Sequence, residues 1–104
     1  MAAEVVLFDG GKLSVEGAVT INNVVTVVER GVSLFDRDSL IVDLKQVTEV
    51  DSAAICMLLE WQREAVRRSC RIRFASMPPN LEGLAQLYGV YELIQLELVN
   101  ASNG

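Results

Sequence analysis

The segment Leu40–Trp61, LIVDLKQVTEVDSAAICMLLEW, joins two apolar runs through a polar junction. The first run belongs to residues 39–44, SLIVDL, which are β-branched and apolar on both faces, as in a strand buried under helices in a largely parallel sheet. The second run follows Asp51 and Ser52 and repeats its apolar residues at helical spacing. A buried strand, a polar junction and an amphipathic helix together predict a layered α/β domain.

The junction places a carboxylate and a hydroxyl side by side, at Asp51 and Ser52. Both residue types are strong helix N-caps, because their side-chain oxygens accept hydrogen bonds from the first amides of a helix, and such a cap contributes about 1 kcal/mol. A cap alone accounts for both residues. The alternative is a cap combined with a contact to a partner, or with a phosphorylated hydroxyl, since a helix N-terminus also suits a phosphate.

A helix is predicted from Ser52 to about Ser69. Its last turn contains Arg67 and Arg68, where the helix dipole favours cations. The apolar residues that we expect to face the core are Ile55, Leu58, Leu59, Ala65 and Val66. This pattern is the clearest helix signal in the chain.

A second line of side chains runs along the same helix from the junction. At about 100 degrees per residue, Ala53, Met57 and Trp61 fall on one line below Ser52. We expect these apolar groups to be partly exposed and to form a docking stripe, because Trp and Met are favoured at interface cores. The residues that flank the stripe are Cys56, Glu60, Arg63, Glu64 and Arg67. The alternative is that Trp61 and Met57 pack under a neighbouring helix as ordinary core.

Upstream of the central segment, two strand patterns, EVVLF (residues 4–8) and KLSVEG (residues 12–17), flank Asp9-Gly10-Gly11. Asp-Gly and Gly-Gly supply the positive φ angles of a tight turn, so the chain is predicted to open with a hairpin. The valine-rich stretch that follows favours a strand by propensity, but its apolar residues recur at helical spacing and predict a helix. The predicted core face is Ile21, Val24, Val25, Val28, Val32 and Phe35.

Downstream, residues 71–76, RIRFAS, alternate as a strand, and the following residues 77–80, MPPN, interrupt it. A further helix is predicted over residues 81–88 and ends at Gly89, a C′ glycine. Residues 91–98, YELIQLEL, favour an edge strand. The predicted order is β-β-α-β-α-β-α-β, with a mixed sheet in a single domain over residues 1–104.

Composition excludes several classes of function. The net charge of −5 and the pI of about 4.6 disfavour nucleic acid and an anionic membrane surface as direct partners. The absence of histidine excludes Ser-His and Cys-His catalysis and the common zinc sites. The two cysteines, Cys56 and Cys70, are expected to be reduced thiols, with Cys56 inert and partly buried.

Other motifs give no support to a metal or cofactor site. Asp36, Asp38 and Asp43 are acidic, but the first two belong to a polar connection that is expected to be solvated. The glycines match neither a dinucleotide-binding fingerprint nor a P-loop. The N-terminus has no basic signal-like region, and no apolar run approaches the ~20 residues of a membrane span, so we expect a cytoplasmic protein.

The sequence from residue 40 to residue 94 resembles a STAS domain, the module of anti-sigma-factor antagonists. The resemblance lies in a strand ending in Asp43-Leu44, a loop reaching Asp51-Ser52, and the helix after it. The segment Leu84–Tyr88, LAQLY, is most similar to the MlaB-like members, which serve a bacterial phospholipid-asymmetry ABC transporter. The resemblance implies the SpoIIAA-like layered α/β fold.

The resemblance also implies a non-catalytic protein that binds and supports the ATPase subunit of that transporter, at the inner face of the inner membrane. Ser52 is the position of the partner contact in MlaB-like members and of the phosphorylated serine in the antagonists. Ala53 and Ala54 stand where the family commonly has a small residue and a glycine, which favours docking over recognition by a serine kinase. The expected partner-binding residues are Asp51, Ser52, Ala53, Cys56, Met57, Glu60 and Trp61.

Two other functions stay open at this point. The first is an anti-sigma-factor antagonist whose binding to an anti-sigma factor is controlled by phosphorylation of Ser52. The second, from another class, is a small enzyme or nucleotide-binding protein that uses Asp43, Asp51 and Ser52. Under the preferred interpretation no cofactor or metal is needed, and the chain reaches the membrane only through the transporter complex.

Overall fold

The computed structural model describes residues 3–8 and 10–96. Strands and helices alternate after an opening pair of strands, as the sequence predicts, except that an additional strand precedes the second helix. The elements are β1 (Glu4–Phe8), β2 (Lys12–Val19), α1 (Val24–Val32), β3 (Ser39–Asp43), β4 (Val47–Val50), α2 (Ser52–Arg67), β5 (Arg71–Ala75), α3 (Pro79–Leu87) and a 3-10 turn (Tyr91–Leu93). The expected α/β class is therefore confirmed.

The first two strands form the predicted hairpin. They pair antiparallel, with Phe8 opposite Lys12 at the turn. Gly10 and Gly11 have φ angles of +86° and +79°, a region that glycine enters without steric cost. A tight reversal between two strands needs this backbone, so the glycines explain why the hairpin forms here.

The sheet is mixed, with the strand order β1-β2-β3-β5 and with β4 paired to β2. The β2–β3, β2–β4 and β3–β5 pairs are all parallel. Strand β2 pairs with β3 and then with β4 along its length, and its register shifts between Gly17 and Val19. The hairpin and the order of the elements up to α3 agree with the sequence prediction, except that β4 was not predicted.

Strand β4 occupies part of the stretch that the sequence analysis treated as a polar junction. It has four residues, of which only Val47 is fully buried. The pattern VTEV has two polar residues between two valines, so it lacks the strict alternation that signals a half-buried strand. Four residues are also too few for such a signal to stand out, and pairing with β2 decides the outcome.

Helix α1 buries a face that overlaps the predicted one, since Val24, Val28, Val32 and Phe35 pack against the core, but that face is centred on Val27. Its most buried side chain is Val27, which is 1% exposed, whereas Ile21 and Val25 are 72% and 67% exposed. The helix begins only at Val24, because the Asn23 side chain binds back to the Thr20 amide and the Ala18 carbonyl. A run of valines offers apolar groups on more than one face, and packing against α2 selects the face.

Helix α2 forms where the sequence predicts it and buries more of its surface than expected. Val66 was placed on the core face and is instead 79% exposed. The buried residues are Ala53, Ala54, Ile55, Met57, Leu58, Trp61 and Ala65. Helix α3 ends at Leu87, and Gly89, with φ +71°, follows it as predicted.

The C-terminal segment differs from the predicted edge strand. Residues Tyr91–Leu93 form a 3-10 turn, and only Leu96 bridges to Phe74 of β5. Residues 97 and 98 of the predicted strand lie outside the described residues. Among the described residues, no helix has the length and apolar character that crossing a membrane requires.

Candidate functional site

The carboxylate of Asp51 holds the start of α2 in place. Its Oδ1 accepts a hydrogen bond from the Ala53 amide at 2.8 Å, which is the predicted N-cap. Its Oδ2 accepts a second hydrogen bond from the Ile21 amide at 3.0 Å, so the same side chain ties α2 to the loop before α1. Hydrogen bonds to a charged group are stronger than neutral ones, at about 1.5–3 kcal/mol each. Asp51 therefore fixes the geometry around Ser52.

Ser52 is the first residue of α2, and its side chain is exposed. Asp51, not Ser52, supplies the cap, so of the two cap candidates in the sequence only one has that role. The hydroxyl lies at a helix N-terminus, where the free amides of the first turn carry a partial positive charge. A hydroxyl in this position is accessible to a second protein.

The expected docking stripe of Ala53, Met57 and Trp61 is not exposed. Ala53 is buried, and Met57 and Trp61 are fully buried in the core. The Trp61 Nε1 donates to the Val28 carbonyl at 3.1 Å, and its ring packs edge-on against Phe35 at 6.1 Å. The expectation of exposure was wrong because α1 covers this side of α2.

The exposed apolar groups near Ser52 come from elsewhere. Cys56 is exposed one turn after Ser52, and the exposed Ile21 and Val25 come from the loop before α1 and from α1 itself. The four residues Ile21, Val25, Ser52 and Cys56 are called the docking face from here on. The sequence analysis assigned Ile21 and Val25 to the core and Cys56 to an inert, partly buried position, so all three were misplaced.

A shallow depression of about 350 Å³ lies between α1 and α2 beside the docking face. Its apolar part comes from valines of α1 and from Met57. The full lining is Val24, Val25, Val28, Glu29, Cys56, Met57 and Glu60. Such a depression can receive an apolar side chain of a partner, which is how interface anchors are bound.

The rim of this surface is acidic. Glu60 forms an ion pair with Arg63, and Glu64 contacts Arg67 at 2.7 Å, so these predicted rim residues neutralise one another along α2. Glu29 on α1 is exposed and has no ion pair among the residues that the structure describes. The net charge next to the depression is therefore negative and favours a basic partner surface.

The two cysteines differ in exposure. Both are free thiols, with Cys56 exposed and Cys70 buried. Burial raises the pKa of the Cys70 thiol, because a thiolate is poorly solvated in the interior. Cys56 is the more accessible thiol, and it lies within the docking face.

The acidic residues do not assemble into a reactive centre. Asp43 contacts the Lys12 ammonium at 3.4 Å and accepts a hydrogen bond from the Lys45 amide, so its carboxylate is engaged in the fold. Asp36 and Asp38 lie in an exposed loop, as expected. Within residues 3–8 and 10–96, no group of three or more His, Cys, Asp and Glu side chains is placed to hold a metal ion.

Solved structures with the same fold include three STAS-related proteins. The unphosphorylated anti-sigma-factor antagonist SpoIIAA matches with a TM-score of 0.69 and 12% identity, covering 91% of this chain and 87% of that one. An anti-sigma-factor antagonist (STAS) domain protein from Planctomyces limnophilus matches with a TM-score of 0.68 and 11% identity, covering 92% and 89%. A sulfate transporter family protein from Wolinella succinogenes matches with a TM-score of 0.64 and 14% identity, covering 85% and 75%.

At these identities the structural matches establish the fold alone. None of the curated protein sequences matches this chain significantly. The family described as "Mlab, STAS domain" matches residues 6–98, which is most of the chain. The chain therefore belongs to the STAS domain family.

Proposed function

We propose that this chain is a non-catalytic interaction subunit that binds the ATPase of an Mla-type phospholipid-transport ABC transporter through the docking face. The observation that carries the proposal is that Ser52 is exposed beside the exposed Ile21 and Val25. The two hydrogen bonds of Asp51 join the start of α2 to the loop before α1 and so fix the relative positions of these residues. The family match described as "Mlab, STAS domain" and the LAQLY segment support this transporter over other partners.

The docking face has the composition of a small interface core. Ile21 and Val25 offer apolar area that a partner would remove from water, at about 25 cal/mol per Å². A standard interface buries about 800 Å² on each side, so the surrounding rim must take part as well. Binding of this kind stabilises one conformation of the ATPase without any catalytic residue in the bound chain.

The acidic rim of the docking face predicts the charge of the partner surface. Glu29 flanks the depression beside the docking face and has no ion pair among the described residues, so the complementary surface of the ATPase should be basic. Electrostatic attraction of this kind mainly raises the association rate and fixes the orientation. The chain would act in the cytoplasm, at the inner face of the inner membrane, and would reach lipid only through the transporter complex.

Co-purification with the tagged ATPase tests the proposal. Ser52→Arg and Val25→Asp should each reduce the affinity for the ATPase at least about tenfold. The first variant places a bulky cation in the interface, and the second places a charge there that binding would bury. Both side chains are exposed, so the melting temperature should change little. Leu87→Asp is the matched control, because Leu87 is an exposed apolar helix residue outside the docking face, and this variant should bind normally.

Normal co-purification of both Ser52→Arg and Val25→Asp would contradict the proposed surface. Trp61→Ala is not a suitable probe, because Trp61 is fully buried and its truncation would unfold the protein. A loss of binding by that variant would report on folding and not on contact.

A second candidate function is an anti-sigma-factor antagonist controlled by phosphorylation. The exposure of Ser52 at the N-terminus of α2 favours it, since a helix N-terminus stabilises a phosphate. Asp51 opposes it, because a phosphoserine would add about −2 of charge beside an existing carboxylate. Intact mass after incubation with a serine kinase and ATP would show one phosphate on the wild type and none on Ser52→Ala if this function is correct.

An enzyme or nucleotide-binding protein has less support than either interaction role. STAS domains are generally non-catalytic interaction domains. The carboxylates of Asp43 and Asp51 both accept hydrogen bonds from backbone amides and so serve the fold. A saturable rise of the melting temperature with ATP would favour this class, and a flat response would exclude it.

A further inference from the structure

The outer edge of β5 is paired over only part of its length. Strand β5 is the last strand in the order β1-β2-β3-β5. Beyond it, the described chain reaches this edge at a single place, where the Phe74 amide donates to the Gln95 carbonyl at 2.8 Å and Leu96 bridges to Phe74. The half of β5 before Phe74 has no neighbouring strand within the described residues.

The direction of the backbone groups follows from the bonds to β3. The Arg71 amide donates to the Asp38 carbonyl at 2.7 Å, and the Ala75 carbonyl accepts from Leu44 at 2.9 Å, so the odd-numbered residues of β5 bond inward. Backbone groups alternate along a strand, and Ile72 therefore directs its N–H and C=O outward, as Phe74 does. Since no described segment pairs with them, these two groups of Ile72 can bond to a further strand.

Gln62 of α2 explains why the described segment before Gln95 does not fill this position. Its Nε2 donates to the Leu93 carbonyl at 3.0 Å, and its Oε1 accepts a hydrogen bond from the Gln95 amide. The segment before Gln95 is thus bonded to α2 and not to β5. A cavity of about 300 Å³ remains, and it is lined by Gln62, Ala65, Val66, Cys70, Arg71, Ile72, Arg73 and Gln95.

The two sides of this edge differ in chemistry. Arg71 and Arg73 are exposed, point to the same face of the sheet, and lie about 7 Å apart along the strand. Neither has an ion pair with a described residue, whereas Arg63, Arg67 and Arg68 all pair with glutamates of α2. On the helix side, the exposed Val66 offers an apolar contact.

We propose that the free edge of β5 binds an extended, acidic segment of a partner protein by strand addition. One residue of the segment bonds to the Ile72 backbone, and its apolar side chain faces Val66. The residues before and after it carry carboxylates that face Arg71 and Arg73, because side chains opposite each other in a sheet lie on the same face. The recognised pattern is acidic, apolar, acidic. This surface does not depend on the docking face.

Charge complementarity selects an acidic occupant over a basic or neutral one. The guanidiniums of Arg71 and Arg73, which form no ion pair with any residue that the structure describes, make a local cationic row on an otherwise acidic protein, and arginine binds carboxylates with two parallel hydrogen bonds. Charged side chains at an edge can also serve only to prevent pairing with other chains. The two roles differ in whether an acidic strand binds.

Fluorescence anisotropy with a labelled, end-capped peptide of alternating Glu and Val tests the proposal. The wild type should bind this peptide and should not bind a peptide of alternating Lys and Val. Arg71→Glu/Arg73→Glu should weaken binding of the Glu peptide at least about tenfold and should bind the Lys peptide. The control Arg30→Glu/Arg63→Glu changes the net charge equally and should keep the wild-type preference.

Two further measurements distinguish strand addition from general charge attraction. Only alternate amides of an added strand can bond to Ile72. One peptide is therefore N-methylated at its Glu amides and another at its Val amides. One of these two modified peptides should lose binding to the wild type, and the other should not. Ser52→Arg should bind the Glu peptide normally, because it alters only the docking face. Absence of binding by the Glu peptide, equal effects of both methylations, or loss of preference in the control variant would each overturn the proposal.

Discussion

At Gly31 the absence of a side chain lets α1 approach the indole of Trp61. A Cβ at this position would overlap three atoms of the Trp61 ring. The close approach places the indole Nε1 within hydrogen-bond distance of the Val28 carbonyl. The burial of the only tryptophan in the chain therefore depends on a glycine thirty residues earlier.

Gly31→Ala should destabilise the protein by up to about 2 kcal/mol, because overpacking against the rigid Trp61 ring costs about 1–3 kcal/mol and outweighs the gain of about 1 kcal/mol in helix propensity. Gly83→Ala is the matched control, since Gly83 lies in α3 with no atom within 4 Å of the added Cβ. That variant should be more stable by about 0.5–1 kcal/mol. Urea denaturation measures both, and shifts in the same direction would contradict this account.

Asp51 and Ser52 show how far residue types alone predict a site. The residue types predict a cap at the junction, and the cap is present. They do not decide whether the cap is formed by an oxygen of Asp51 or by that of Ser52. Asp51 also accepts a second hydrogen bond, and its donor is the Ile21 amide, far away in sequence. Only that long-range bond engages both carboxylate oxygens and leaves the hydroxyl of Ser52 outside the cap.

Among the elements, α1 shows the limit of periodicity. Its run of valines predicts a helix correctly and assigns most of the core-facing residues correctly, but it includes the exposed Val25 and misses the buried Val27. Because several faces of α1 are apolar, the spacing fits more than one orientation about the helix axis. The approach to Trp61 at Gly31 selects the orientation that buries Val27 and exposes Val25.

Val27→Ala should lower the free energy of unfolding by about 2 kcal/mol, because it removes buried methyl groups and leaves a cavity. Val25→Ala removes the same atoms from the same helix at an exposed position and should change stability by less than about 0.5 kcal/mol. Chemical denaturation of the two variants gives the comparison. Equal losses would show that α1 is rotated relative to the orientation described.

For the whole molecule, one hydrophobic core joins the sheet to all three helices. The buried cluster extends from Leu13 in the hairpin through Val27 and Trp61 to Leu81 and Ile94. The parallel strands require crossover helices, so residues distant in sequence meet at every layer. This arrangement supports the prediction of a single domain, which remains to be tested.

Urea unfolding should therefore be a single cooperative transition. Trp61 fluorescence reports on the contact between α1 and α2, and far-UV circular dichroism reports on all elements. The two midpoints should coincide within error. A separate early transition in either signal would contradict the single-domain prediction.

The sequence by itself determined the α/β class, the opening hairpin, the position of α2 and the presence of a cap at the Asp51-Ser52 junction. These features follow from local turn chemistry, capping and strong periodicity, which act between residues close together in the chain. The tertiary structure alone decided that Met57 and Trp61 are core, that Ile21 and Val25 are exposed beside Ser52, and that Ile72 lies at an edge to which no other described segment is paired. Each of these depends on which helix or strand packs alongside, and that contact is made between residues far apart in sequence.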